Sequence, residues 1–383
     1  MSLQMVHRRT RQAATLALIA LMPLVACNAA IADGETITSE KHNFRIESIA
    51  SGLDHPWGMA FLPDGEILVT ERSGHLRVVR NGRLQPDPIA GTPKVADSGQ
   101  GGLLDVALHP EFPSNGLVYL SYAGAGPGGA GTEVVRGRLV DDRLVDLETV
   151  FAVARKSSGG RHFGSRLVFG ADGMLYVTSG DRGSPDRAQD LGDHAGKILR
   201  LTPDGQVPAD NPFVGRSDVR PEIFSTGHRN PQGMALQPGS GRIWAVEHGP
   251  RGGDELNLIE AGANYGWPVI TYGRSYAGFR IGDTEKPGMM QPATWWVPSI
   301  SPSGLAFYSG GVFAAWRGSL FLGALSGLDL VRLELDGSKV VHEERLLGDF
   351  DERIRDVRQG PDGYIYLLTD SSDGGLFRLV PAS

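Results

Sequence analysis

The sequence predicts an all-β fold, a six-bladed β-propeller with four-stranded blades and long loops on the active-site face. Three observations carry that prediction. One pattern recurs in six copies: an apolar strand, a turn built from residues such as Pro, Asp, Asn or Gly, and a second apolar strand. The 53 glycines and 24 prolines among 383 residues supply turns for many short strands. Beyond the N-terminal segment no stretch sustains a helical period, which disfavours alternating strands and helices.

In chain order, the N-terminus reads as an export signal. His7-Arg8-Arg9-Thr10-Arg11 is basic, and Ala13–Ala26 is an apolar run too short for a comfortable membrane span. Residues 1–32 are therefore expected to be a signal peptide. Two cleavage patterns compete: Ala30-Ile31-Ala32 fits a small-residue site, while Leu24-Val25-Ala26-Cys27 looks like a lipobox with Cys27 as lipid-carrying first residue. Cys27 is the only cysteine, so no internal disulfide can form and a lipid anchor is the economical use of the thiol. The paired arginines match a twin-arginine signal only weakly. The remaining chain is expected to work in the periplasm, free or as an outer-membrane-anchored lipoprotein.

The propeller is expected over residues 40–381. Its copies are Gly58–Val69, Leu103–Leu120 with Asn115-Gly116 near the turn, Leu167–Thr178 around Asp172-Gly173, Gly233–Val246, Gly304–Leu322, and Val357–Leu368 around Pro361-Asp362-Gly363. Their spacing averages roughly 60 residues, above the ~40 to 50 of simple propeller repeats, so the blades carry extra loops. His75–Arg80 and Leu328–Leu335 alternate as further strands. Phe44–Ile49 and Gly375–Val380 are expected to pair and close the ring, leaving no long free edge. A net charge of -7, with no basic run outside the N-terminus, excludes nucleic acid as a partner.

In such a ring, loops from every blade converge on one face, so chemistry is sought where ionisable residues crowd into turns. Glu247-His248-Gly249-Pro250-Arg251-Gly252-Gly253-Asp254-Glu255 combines exposed carbonyls with carboxylates, which suits calcium, although a charged surface loop has the same composition. Gln100 lies in the glycine-rich turn Asp97–Asp105, where its amide would face the channel or merely serve a tight blade entry. His162, flanked by Gly159-Gly160 and Gly164, is a candidate general base. Asp181 returns to the same face, to orient the imidazole or to cap a turn. Arg229-Asn230 is a guanidinium and amide pair suited to a planar, oxygen-rich ligand or a developing oxyanion. Arg353 and Arg355 share one strand face and repel unless an anion lies between them; the alternative is a solvated edge with Asp356 as partner.

The motifs GQGGLLDVALHP, GGRHFGSRLVFG, GHRNPQGMAL, EHGPRGGDELN, NYGWP and RIRDV, in this order, resemble the soluble pyrroloquinoline-quinone-dependent aldose sugar dehydrogenases, the glucose/sorbosone dehydrogenase-like family. The resemblance covers about Phe44 to Val380 and implies an exported six-bladed propeller that oxidises the C1 hydroxyl of aldoses to lactones. It implies His162 as catalytic base and Gln100, Arg229, Asn230, Tyr276, Arg353 and Arg355 as contacts of pyrroloquinoline quinone (PQQ). The segments Ala324-Leu325-Ser326 and Arg353-Ile354-Arg355 resemble its cofactor-binding stretches. Gly249 and Pro250 resemble the pair whose carbonyls hold the cofactor's Ca2+, and Glu255 with Tyr265 a further calcium site. The implied partners are an aldose and an external electron acceptor such as a quinone, cytochrome or dye. One departure is Ser326, where relatives often place a lysine against the quinone. Two other classes are weighed beside this one: a calcium-dependent lactonase, which the arginine pair tells against, and a binding propeller without catalysis, in which His162 and Arg229 would be dispensable.

Overall fold

The structure, a computed structural model, describes residues 34–382. The expected signal peptide, its two cleavage patterns and Cys27 lie outside the described residues.

Six antiparallel sheets form a ring. Blade one comprises Pro56–Phe61, Ile67–Glu71, Leu76–Arg80 and Arg83–Leu84. Blade two comprises Leu103–Leu108, Leu117–Gly126, Gly129–Val140 and Arg143–Ala152. Blade three is built from Leu167–Phe169, Leu175–Ser179, Lys197–Leu201 and Ile223–Thr226. Blade four has Pro231–Leu236, Ile243–Glu247, Asp254–Ile259 and Thr294–Trp296. Blade five follows with Pro302–Phe307, Leu320–Ala324, Leu330–Asp336 and Lys339–Leu346.

The last blade joins both ends of the chain. Ile354–Gln359, Ile365–Thr369 and Gly374–Pro381 are completed by the N-terminal strand Asn43–Leu53, and Ile37–Thr38 adds a short fifth strand. Phe44 faces Pro381 and Glu47 faces Arg378, so the two terminal segments expected to close the ring do pair. Closure hides the backbone edge that either segment alone would expose.

The apolar faces of the strands meet between blades rather than in one central core. Leu68, Leu76 and Val78 of blade one pack on Val106, Val118 and Leu120 of blade two, and Tyr119 and Val134 on Leu167, Val177 and Leu199 of blade three. Each first strand runs along the axis and touches the first strand of the next blade, all the way round. Along these strands one position precedes the inward apolar residue in every blade: Gly58, Asp105, Arg166, Gly233, Gly304 and Asp356. The large members fit because the glycines are bare. A Cβ on Gly58 would lie 2.5 Å from Asp105 Oδ1, and one on Gly304 would lie 2.4 Å from Asp356 Oδ1.

Arg166 donates to Asp105 at 2.9 Å and lies 3.1 Å from Asp356, while Arg358 reaches the same two carboxylates at 3.1 and 3.0 Å. This buried cluster links blades two, three and six at the axis. Removing one partner would strand a buried charge, a loss of about 3–5 kcal/mol.

Candidate active site

The propeller geometry decides which residues meet. A first strand leaves one face and the second strand returns to it. Residues just before first strands and just after second strands therefore share a rim: His162, Arg229, Asn230 and Arg353 from the former, Asp181, His248, Ser326 and Asp370 from the latter.

His162 has a left-handed backbone, φ +57°, and is buried. Its main-chain N–H donates to Gln100 Oε1 at 2.7 Å, so Gln100 fixes the backbone of the base loop. Its Nδ1 lies 2.6 Å from Asp181 Oδ1. Asp181 also accepts the Gly183 N–H at 2.7 Å and the Trp267 indole N–H at 2.8 Å. Burial pushes the His162 pKa below its ordinary value; Asp181 pulls the other way, and the positive charge of Arg229 adds to the lowering. Burial opposes ionisation of Asp181, yet the donors from His162, Gly183 and Trp267 outweigh it and hold its carboxyl below the usual range. A neutral imidazole with one nitrogen anchored to a carboxylate is the arrangement a general base needs.

Beside it, the Arg229 guanidinium donates to the carbonyls of His248 and Gly249 at 2.9 and 2.7 Å, and its main-chain N–H donates to Glu247 Oε2 at 2.6 Å. Asn230 Oδ1 accepts the Gly164 N–H at 3.1 Å, which ties blade four to the His162 loop, but its Nδ2 is buried without a partner. Across the rim Arg353 and Arg355 both donate to Asp370 Oδ2, at 3.0 and 2.7 Å. The anion between the two guanidiniums is therefore Asp370. Asp356, the neighbour considered from sequence, instead joins the axial cluster. Arg355 donates further to Gln232 Oε1 at 2.9 Å, and its Nε has no partner. Arg353 also donates to the Leu325 carbonyl at 3.0 Å.

The other sequence candidates spread out. Ala324 and Leu325 are buried at the end of the second strand of blade five, while Ser326 is exposed and donates to the Ser299 carbonyl at 3.2 Å. Ile354 points into the apolar core beside Val357. Tyr276 stands 70% exposed on the long loop of blade four. Glu255 faces Glu247 across neighbouring strands, and burial together with that like charge pushes its carboxyl up to about 8. Both carboxylates line a small cavity with Gly249, Tyr265 and Thr271. The Tyr265 hydroxyl donates to the Leu258 carbonyl at 2.5 Å and accepts the Glu260 N–H at 3.0 Å, so its phenol oxygen is engaged by main-chain groups. Among the described residues no group of three or more His, Cys, Asp or Glu side chains could hold a metal, so a cation here would need carbonyl ligands.

Residues 53–378 match the family model described as glucose/sorbosone dehydrogenase. The chain belongs to that family. An aldose sugar dehydrogenase of Escherichia coli is 45% identical over 94% of this chain and 98% of its own length. A solved structure of a glucose dehydrogenase, 52% identical, superposes with a TM-score of 0.86 over 88% of this chain and 99% of that one. The PQQ-bound form of an aldose sugar dehydrogenase from Streptomyces coelicolor is 30% identical, with a TM-score of 0.74 over 88% and 98% of the two chains.

In this sugar dehydrogenase, several residues of the site escaped the sequence reading. No role follows from the sequence for Asp370, Trp267 or Gln232, and Glu247 stands there only within the calcium-suited loop, although each contacts a residue singled out. A signal for two of them was present. The second strands of four blades carry an acid at the rim, at their end or just past it: Glu71, Asp181, Glu247 and Asp370. Trp267 stands in the sequence only within the motif NYGWP, and nothing there marks its indole as reaching a residue 86 positions away.

Proposed function

We propose that this sugar dehydrogenase oxidises the C1 hydroxyl of aldoses to lactones, using PQQ and Ca2+, with His162 as general base. The observation that carries the reading is a buried imidazole anchored on Asp181 beside donors that lack protein partners, Asn230 Nδ2 and Arg355 Nε. PQQ is a planar quinone carrying three carboxylates, and its periphery is rich in acceptors. The donor set of Arg229, Asn230, Arg353 and Arg355 fits it. The carbonyls of Gly249 and Pro250 suit a hard cation next to the quinone, and the Glu255 carboxylate with the Tyr265 main chain suits a second.

When bound, the quinone supplies a two-electron acceptor for the C1 hydride, and calcium polarises it as a Lewis acid. His162 takes the hydroxyl proton at Nε2, since Nδ1 faces Asp181. Asp181 holds the ring in orientation and stabilises the imidazolium that forms. Arg229 places positive charge beside the reacting centre and is itself fixed through its main chain by Glu247. Arg353 and Arg355, held by Asp370, present guanidiniums to cofactor carboxylates. Electrons then leave to an external acceptor. The basic and apolar sequence of residues 1–32 supports export to the periplasm as part of this proposal, and mass spectrometry of the mature N-terminus checks both cleavage and lipidation at Cys27.

The test is dye reduction across a panel of aldoses, with and without added PQQ and calcium. Activity should require both. His162→Ala should lose about 10²–10⁴-fold in kcat while still binding the quinone. Undiminished turnover in that variant removes the base assignment, and failure of the quinone to bind removes the cofactor assignment.

A further inference from the structure

We propose that Trp267 is a positioning residue for the reaction: its indole N–H locks the Asp181 carboxylate and so selects the His162 tautomer whose Nε2 is free to accept a proton. The inference rests on the reading of His162 as the base. It adds a residue that touches neither reacting atom.

The argument begins with what each group can donate. Asp181 Oδ2 faces the Trp267 indole N–H at 2.8 Å, and an indole nitrogen is a donor only. Oδ1 faces the main-chain N–H of Gly183 at 2.7 Å, also a donor only, and His162 Nδ1 at 2.6 Å. A proton on Oδ2 would point at another proton. The indole therefore forces Oδ2 to be an acceptor, and the glycine amide does the same for most of Oδ1. The carboxylate is left ionised with three donors around it, Nδ1 must carry the imidazole hydrogen, and the Nε2 lone pair is left toward the substrate.

Trp267 is well held for this task. It is buried, its main-chain N–H donates to the Gly227 carbonyl at 2.9 Å, and its main-chain carbonyl accepts from Gln189 Nε2 at 2.8 Å. Its ring also lies against the Arg229 guanidinium, 5.4 Å from centroid to Cζ, so one side chain spaces the base and the charged group beside it. Without the indole donor, Oδ2 is free to rotate, to hold water or to take a proton, and the second His162 tautomer becomes accessible. The other ionisable groups facing the pair are Arg161, Arg182, Arg229 and His248. None of them contacts Asp181 Oδ2.

Two measurements on the full-length protein test this. In the wild type, NMR of ¹⁵N-histidine-labelled protein at pH 8, with the His162 signals assigned from their loss in His162→Gln, should show Nδ1 protonated and Nε2 unprotonated. A proton on Nε2 overturns the proposal without any variant. Trp267→Phe keeps a ring beside Arg229 and removes the donor. It should lower kcat about tenfold, leave KM within about twofold, move the acid limb of the kcat–pH profile to higher pH, and mix the tautomer signals. In an Asp181→Asn background the same change should cost nothing more, because the indole acts through that carboxylate. A Trp267→Phe enzyme with native melting temperature, unchanged kcat and an unmoved acid limb refutes the role of Trp267 alone. A His162→Ala enzyme at full kcat refutes the underlying base reading instead.

Discussion

Asp181 and Asp370 both lie on the rim just beyond the end of a second strand, two residues and one residue past it, and they do different chemistry. Asp181 is surrounded by an imidazole, an indole N–H and an amide, none of which carries a permanent charge. Asp370 lies between two guanidiniums, 2.7 and 3.0 Å from Oδ2, with the half-exposed His55 3.4 Å from Oδ1. Burial resists ionisation of both. At Asp370 the charges of Arg355 and Arg353 outweigh it and hold the carboxyl far below the usual range. At Asp181 the opposing groups are hydrogen bonds to neutral donors. One carboxylate is thus available to stabilise charge that appears on His162 during turnover; the other is already paired and serves to organise cations.

The comparison breaks most visibly if the two acids are neutralised in turn. Asp181→Asn should lower kcat by on the order of 10³ with little change in folding stability, because the amide can present a donor to Nδ1 and select the wrong tautomer. Steady-state kinetics with a thermal melt checks this. Asp370→Asn should do the reverse: a loss of about 3 kcal/mol in stability with the acid limb of the rate profile unmoved, since it leaves two buried or half-buried guanidiniums without their anion. The sign with pH follows from the depressed carboxyl. Its stabilisation is present above the ordinary carboxylate pKa and is lost as pH falls through the folded value, so the gap between the acid denaturation curves of the wild type and Asp370→Asn should begin to narrow below about pH 4 and close only as pH approaches the far lower folded value.

A finer probe is Arg229→Gln. Its positive charge disfavours the imidazolium of His162, so its removal should move the acid limb of kcat/KM to higher pH, toward the ordinary histidine value near 6.5. A limb that moves lower would mean that Arg229 acts chiefly through structure. The smallest effect expected is at Ser326, exposed near Arg353 and the Leu325 carbonyl. Ser326→Lys adds a cation there and should tighten PQQ binding by up to about tenfold, read from quinone titration monitored by absorbance.

The fold was legible because a propeller writes itself into the sequence as a local rhythm. Strand, turn and strand are set by residues within about a dozen positions of one another, as at Gly58–Val69 or Val357–Leu368. That residues flanking first strands, such as His162, Arg229 and Arg353, reach one rim was legible for the same reason. Pairings across blades were less legible. From sequence, Gln100 looks like a ligand contact, yet its amide oxygen takes the His162 N–H. Asp356 looks like the partner of Arg355, yet its carboxylate joins the axial cluster and Asp370 takes the guanidinium.

By itself the sequence determined six strand pairs with their turns, a closing contact between the ends, and the set of residues able to reach a common rim, because each depends on local periodicity and on which backbone conformations Gly, Pro and Asp permit. Only the tertiary structure decided which acid meets which base. Asp181 receives His162 from the preceding loop and Trp267 from a distant one, and the axial glycines Gly58 and Gly304 make room for carboxylates of the neighbouring blades. Those contacts are fixed when the ring closes, since closure sets the distance between blades, and hydrogen bonds that tolerate only a few tenths of an ångström depend on it.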